Sequence, residues 1–141
     1  MVKELTKSEK INMDIKDIAK AVRKDIKNEF GNKIKCSVRS KRFAGGTSLS
    51  VELKKCSIDL IKSEEEFDDE YMDYRLTNPD LFKRLKLRYH RNEILAVKDE
   101  VTQKINEIVD AYNFDESDYM MDYYCVNFYY HGVSGNKIEV I

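Results

Sequence analysis

The sequence predicts an α+β domain built on a mostly antiparallel sheet of four to five strands, with two main helices packed on one face. Three observations predict it: two long helical stripes of apolar residues, a period-two alternation interrupted by a double glycine, and a tail rich in Tyr, Val and Phe. With 141 residues, 42% of them hydrophobic, the chain has the size of a single domain that buries about two thirds of its unfolded surface.

Ile15, Ile18, Val22, Ile26 and Phe30 recur at three- and four-residue spacing and predict a helix from about Asp14, which can cap it, to Gly31, which can end it. The period then changes to two. Ile34, Cys36 and Val38 alternate with Lys33, Lys35, Ser37, Arg39 and Lys41, and Leu49, Val51 and Leu53 alternate with Ser48, Ser50, Glu52 and Lys54. Between them Phe43-Ala44-Gly45-Gly46 supplies residues that tolerate positive φ, so a basic β-hairpin from Lys33 to Lys54 is expected. Ser63 followed by Glu66 has the form of a capping box ahead of Phe67, Tyr71 and Tyr74, a short acidic helix. Asn78-Pro79 reads as a break, after which Leu85, Leu87 and Tyr89 alternate with Lys86, Arg88 and His90 as a third strand. Val97, Val101, Ile105, Ile108, Val109 and Tyr112 give the second long helix, ending near Asn113. Asp115, Ser117 and Asp118 read as a turn, residues 122–130 as a strand, and residues 137–141 as a strand pairing back across 132–136.

The net charge of −1 conceals four blocks. Residues 1–55 carry 15 Lys/Arg against 7 Asp/Glu, residues 56–82 carry 2 against 9, residues 83–99 carry 6 against 2, and residues 100–141 carry 2 against 8. Exposed charges are screened beyond about 10 Å, so a partner meets these blocks as separate patches. No apolar run approaches the ~20 residues of a membrane span, and MVKELTKSEK lacks the apolar core of a signal peptide; a cytoplasmic protein with no membrane partner is expected. Cys36, Cys56 and Cys125 are odd in number and widely spaced, which suits reduced thiols rather than a disulfide framework or a zinc site. With His90 and His131 they show no metal-ligand spacing, and no phosphate-loop, dinucleotide or nucleophile-elbow motif is present; neither a metal, a cofactor nor an enzymatic activity is expected.

The strongest candidate contact surface is the hairpin. Lys33, Lys35, Arg39, Lys41 and Arg42 line one face and the tip, guanidinium groups bind phosphate or carboxylate in two-point fashion, and Gly45 and Gly46 let a partner's backbone come close. The alternative is a strand face that carries cations only for solubility. The run that includes Glu65, Asp68 and Asp69 either mimics a phosphate backbone or solvates a helix face, and charge runs usually solvate. Arg88 and Arg91, in a second basic stretch from Lys83 to Arg91, and Tyr130, in an aromatic cluster from Tyr119 to Tyr130, are secondary contact candidates.

Two segments carry a family resemblance. The helix DIAKAVRKDIKNEF with the following KIKCSVRSKRFAGGTSLSVEL, and the stretch YNFDESDYMMDYYCVNFYY, resemble the twenty-ninth of the large polyvalent-protein-associated domains, found in phages and mobile elements. The chain departs from that pattern at Tyr119, Met121 and Cys125, where small or acidic residues are usual, and residues 57–82 read as an acidic helical insertion. RLKLRYHR, the KINEIVD helix and YYHGVSGNKIEVI are also similar to the end of a small phage protein that inhibits type II CRISPR nucleases. These resemblances imply a non-enzymatic protein of a phage or mobile element that binds and inhibits a host defence nuclease, its partner being the nuclease complex or its guide nucleic acid. The alternative from the residues themselves is an accessory protein that binds DNA or RNA directly through the basic hairpin.

Overall fold

The computed structural model describes residues 13–113 and 128–141. Helix α1 (Ile15–Phe30) buries Ile15, Ile18, Ala19, Val22 and Ile26, the apolar stripe set by three-and-four spacing. Gly31 ends it at φ 59°, a left-handed conformation that favours glycine, and donates its N–H to the Lys27 carbonyl. Asp14 stands at the N-cap, but its carboxylate makes no cap hydrogen bond. It pairs instead with Arg42.

Strands β1 (Ile34–Phe43) and β2 (Gly46–Cys56) form the expected hairpin. Phe43 pairs with Gly46, which leaves Ala44 and Gly45 as a two-residue loop, and Gly46 takes φ 144°. The register steps by one residue near the open end, so that Lys54 faces no β1 residue. That bulge lets Leu53 and Cys56, three positions apart, both face inward and be fully buried. The tail then runs beside the other edge of β2 in the same direction. Tyr129 and Ser134 form parallel bridges to Ser48 and Glu52, and β3 (Glu139–Val140) pairs with Lys55 and Cys56.

Between hairpin and tail lie α2 (Glu64–Glu70), α3 (Met72–Thr77), α4 (Pro79–His90) and α5 (Asp99–Asp110). The main core joins the inward residues of β1 and β2 to α1 and to Val101, Ile105, Ile108 and Val109 of α5, with Phe128 and Ile138 from the tail. Phe67 of α2 is fully buried under the rings of Tyr71, Phe82 and Tyr89, at centroid distances of 4.7, 6.2 and 4.7 Å. No helix among the described residues is long and apolar enough to cross a membrane.

The class is α+β, but the sheet differs from the expected one. Among the described residues it has three strands in the order β1-β2-β3 and is mixed, antiparallel between β1 and β2 and parallel between β2 and β3, not a mostly antiparallel sheet of four to five strands; five α-helices stand beside it, not two main ones. Two readings account for this. Leu85, Leu87 and Tyr89 do not form a strand: they lie in α4, where Leu85 and Tyr89 share a stripe with Leu81 and Phe82 and Leu87 points outward, 55% exposed. Asn78-Pro79 is the start of that helix rather than a break, since Pro79 occupies the first turn, where no N–H is needed, and the Asn78 side chain accepts from Leu81 N at 3.3 Å. Residues 137–141 do not turn back across 132–136, because the tail keeps the direction of β2 through successive bridges at Tyr129, Ser134 and β3. The expected turn at 115–118, and the expected strand at 122–130 up to residue 127, lie outside the described residues.

The tail's bonding decides which side of β1 is open. Tyr129 N donates to Thr47 O, Leu49 N to Tyr129 O, Ser134 N to Val51 O and Leu53 N to Ser134 O, at 2.9, 2.9, 3.0 and 2.7 Å. Residues 47, 49, 51 and 53 therefore bond toward the tail, leaving Ser48, Ser50 and Glu52 to bond toward β1, opposite Lys41, Arg39 and Ser37. The N–H and C=O groups of Cys36, Val38, Ser40 and Arg42 point to the free edge. There one partner is found among the described residues, Arg23 Nη2 donating to Val38 O at 2.5 Å.

Burial pushes the Cys36 thiol up to about 12, helped by Cys56, and burial with Asp59 nearby pushes Cys56 up to about 11. Both thiols therefore stay protonated near neutral pH. Because the folded values exceed the unfolded one, this stability is complete below about pH 8.5 and is lost as pH rises toward the folded values. Tyr112 and Tyr130, raised by burial and by Asp25 and Asp110 respectively, add to the loss in the same direction. Thermal denaturation across alkaline pH should show a falling melting temperature, and Cys36→Ala with Cys56→Ala should flatten the part that begins below the tyrosine range. Amide hydrogen exchange should alternate along β1, slow at Ser37, Arg39 and Lys41 and fast at Cys36, Val38 and Ser40; uniform protection would refute the assigned free edge.

Candidate functional site

One face of the hairpin carries α1, and no described element packs on the other. On that open face β1 places Lys35, Ser37, Arg39, Lys41 and Phe43, and β2 places Ser48, Ser50, Glu52 and Lys54, because period-two alternation sends Ile34, Val38, Leu49, Val51 and Leu53 to the core. Lys35, Arg39 and Lys41 are exposed and have no ion-pair partner among the described residues. Opposite Arg39 and Lys41 stand Ser50 and Ser48, too short to cover the cations, and opposite Lys35 stands Lys55, which pairs with Glu139 at 3.4 Å. Lys54 is paired with Glu52 at 2.8 Å.

At the hairpin tip the face gains two rings. Phe43 and Tyr129 lie 5.8 Å apart between centroids at 35°, and are 45% and 39% exposed despite their size. With Lys41, Ser48, Ser50 and His131 they line a shallow cleft of about 440 Å³. Gly46 permits this contact: a Cβ there would lie 3.3 Å from the Tyr129 ring.

Two asparagines hold Tyr129 in place. The Asn113 side chain brackets Phe128, accepting from its N–H at 3.1 Å and donating to its C=O at 2.9 Å. Asn106 Oδ1 accepts from the Tyr130 hydroxyl at 2.6 Å and from Val133 N at 3.0 Å. Tyr130 is thereby half-buried, its hydroxyl engaged against α5, and the outward ring of this stretch belongs to Tyr129.

The remaining sequence candidates fall elsewhere. Lys33 precedes β1 and pairs with Asp59 at 3.3 Å. Arg42 reaches the helix-side flank of the tip, where Asp14 binds it. Gly45 lies in the loop, where a Cβ would come within 3.3 Å of the Phe43 ring. The acidic run is largely engaged by the second basic stretch and by Lys62. Glu66 closes the capping box with Ser63, Asp68 and Glu64 bind Lys86, and Glu70 binds Lys62 at 2.6 Å. Lys62, 6% exposed, also reaches Asp99 at 3.2 Å. Burial pulls its pKa down, but the two carboxylates pull harder and keep it charged. Arg88 pairs with Glu93 at 2.9 Å, while Glu65, Asp69 and Arg91 stay exposed with no ion pair among the described residues. Thus the hairpin candidates Lys35, Arg39 and Lys41 share one surface, and the candidates of α2 and α4 belong to another.

Phe43, Ser48, Ser50 and His131 are not among the contact candidates read from the sequence, and Tyr129 enters there only as a member of the aromatic cluster from which Tyr130 is chosen. A signal for Phe43 was present: it has the same odd-numbered parity as Lys35, Arg39 and Lys41. For Tyr129 the aromatic cluster was the signal, but which ring faces outward and that it stands beside the tip follow from the parallel course of the tail.

Asn106→Ala removes one acceptor shared by two donors and should destabilise the chain by about 1–3 kcal/mol, against about 1 kcal/mol for Tyr130→Phe, as read by chemical denaturation. Comparison with known proteins brings no match: no family model, no curated protein and no solved structure is significantly similar to this chain.

Proposed function

We propose that this chain is a non-enzymatic binding protein whose open sheet face holds a nucleic-acid strand. One observation carries the reading: three cations with no ion pair among the described residues, Lys35, Arg39 and Lys41, run along one strand and end at the exposed ring pair Phe43–Tyr129. Cations attract phosphates and aromatic rings stack on bases whatever their sequence, so a row of the first that leads to a pair of the second suits a single strand. The serines of β2 keep the face flat and add hydroxyl groups for phosphate or sugar. A duplex hides its bases from the rings and gains only the charge term.

The sequence resemblance supplies a setting. In a phage or mobile element, a protein that covers the guide or target strand of a host defence nuclease inhibits it without any chemistry of its own, acting in the cytoplasm of the host. A direct protein contact with the nuclease is the second reading, favoured by the exposed carboxylates Glu65 and Asp69, which the internal pairing of α2 and α4 leaves unused.

Fluorescence anisotropy with a labelled single strand of about 12 nucleotides tests the first reading. Three phosphate contacts predict that log K falls with log salt at a slope of about −2, and Arg39→Ala with Lys41→Ala should reduce that slope. Tyr129→Ala should weaken binding by about 1–3 kcal/mol with the slope unchanged. Absence of any complex at low salt removes the reading. Capture of a nuclease stripped of its guide would favour the protein contact instead.

A further inference from the structure

The free edge of β1 is a second surface, distinct from the open face. Along it the backbone presents alternating donors and acceptors at Cys36, Val38, Ser40 and Arg42, and among the described residues only the Val38 carbonyl meets a side chain, that of Arg23. Arg23 also fixes which flank of α1 borders this edge. Lys16, Lys20, Arg23 and Lys27 follow one another at four, three and four residues, within about 60° of arc, so all four lie on that flank. The lysines of this stripe are exposed and have no ion-pair partner among the described residues. Two of the three carboxylates of α1 are turned the other way, Asp25 binding the Tyr112 hydroxyl just past α5 and Glu29 lying 4.0 Å from Lys104 on α5, while Asp17 is exposed in the first turn.

The edge is therefore flanked by cations on both sides, the α1 stripe on the helix side and Lys35, Arg39 and Lys41 on the open side. Near Cys36 it borders a cleft of about 420 Å³ lined by Ile26, Ile34 and Cys36 with Arg23 and Lys27. A second copy of the chain does not suit the edge, because antiparallel pairing of β1 with itself sets lysine and arginine against lysine and arginine. A nucleic acid matches the charge but not the backbone, since phosphodiesters offer no donors to the outward carbonyls. A peptide strand supplies both donors and acceptors at the matching repeat.

We infer that the free edge of β1 takes an extended acidic peptide segment of a partner protein by strand addition. Its backbone bonds to Val38, Ser40 and their neighbours, its carboxylates on one face meet Lys35, Arg39 and Lys41, those on the other meet the α1 stripe, and one apolar side chain enters the cleft beside Cys36. The backbone bonding of this edge does not depend on whether the open face binds nucleic acid, although both ligands would meet Lys35, Arg39 and Lys41.

The test uses the full chain and a labelled peptide of about ten residues, Glu on both faces with a single Val, read by anisotropy and amide exchange. Saturable binding is expected, with new protection of the Val38 and Ser40 amides. Ser40→Pro deletes an outward donor while sparing the bonds to β2, and should weaken peptide binding about tenfold or more while oligonucleotide binding stays unchanged. Lys20→Glu with Lys27→Glu should weaken it to a similar degree. Should Ser40→Pro fail to fold, the same peptide N-methylated at alternate residues serves in its place and should bind wild type about tenfold more weakly or less well still. The inference is overturned by absence of saturable binding, by equal binding of the N-methylated peptide, or by an oligonucleotide that protects the same amides and competes the peptide away.

Discussion

Strand β2 is bonded on both sides, and most of what distinguishes this molecule follows from how those bonds are divided. A strand sends alternate residues to alternate neighbours, so once the tail claims residues 47, 49, 51 and 53, the hairpin must use 48, 50 and 52. That division leaves β1 with its outward groups at Cys36, Val38, Ser40 and Arg42. It also carries Tyr129 to the hairpin tip. Asn106 and Asn113 hold the tail with side-chain amides that imitate backbone groups, bonding Val133 and Phe128 in a segment whose strand pairing is confined to short bridges. Gly135 completes the fit: a Cβ there would come within 2.7 Å of the Ile138 side chain, which is fully buried.

The four charge blocks do not have equal standing. The acidic block at 56–82 and the basic one at 83–99 are partners, joined where Lys86 bridges Asp68 and Glu64 and where Phe67, Phe82 and Tyr89 surround the same ammonium group within about 6 Å. Among the described residues the first block meets the others only in the single ion pairs Lys33–Asp59, Lys55–Glu139 and Glu29–Lys104. Of its described carboxylates Asp14, Asp25, Glu29 and Glu52 answer Arg42, Tyr112, Lys104 and Lys54, while the lysines of the α1 stripe and Lys35, Arg39 and Lys41 of the open face have no ion-pair partner among the described residues. A near-zero net charge thus coexists with a concentrated positive region, which is what a partner within a few ångströms would sense.

The open face and the free edge share β1 yet differ in chemistry. The face offers side chains alone, cations and two rings, and suits a ligand recognised by charge and stacking. The edge offers backbone groups that only another peptide can match in both senses. The lysines that protect β1 from self-association are the same groups that would hold an acidic strand, so protection and recognition are one feature here.

Much of this was legible along the chain. The stripe of α1, the hairpin with its glycine tip, the capping box at Ser63 and the stripe of α5 each rest on local chemistry, in which spacing and a few special residues suffice. Alternation also placed Lys35, Arg39 and Lys41 on one face. Local chemistry misled at residues 85–89, where four-residue spacing and two-residue alternation coincide in Leu85 and Tyr89, and tertiary burial of Tyr89 against Phe67 decided for a helix. The tail's parallel course, the company of Phe43 and Tyr129, and the pairing of the acidic run with Lys62 and Lys86 required the tertiary structure. Each joins residues distant in sequence through hydrogen bonds, charges or rings that meet only when the chain has folded, and no periodicity records such a meeting.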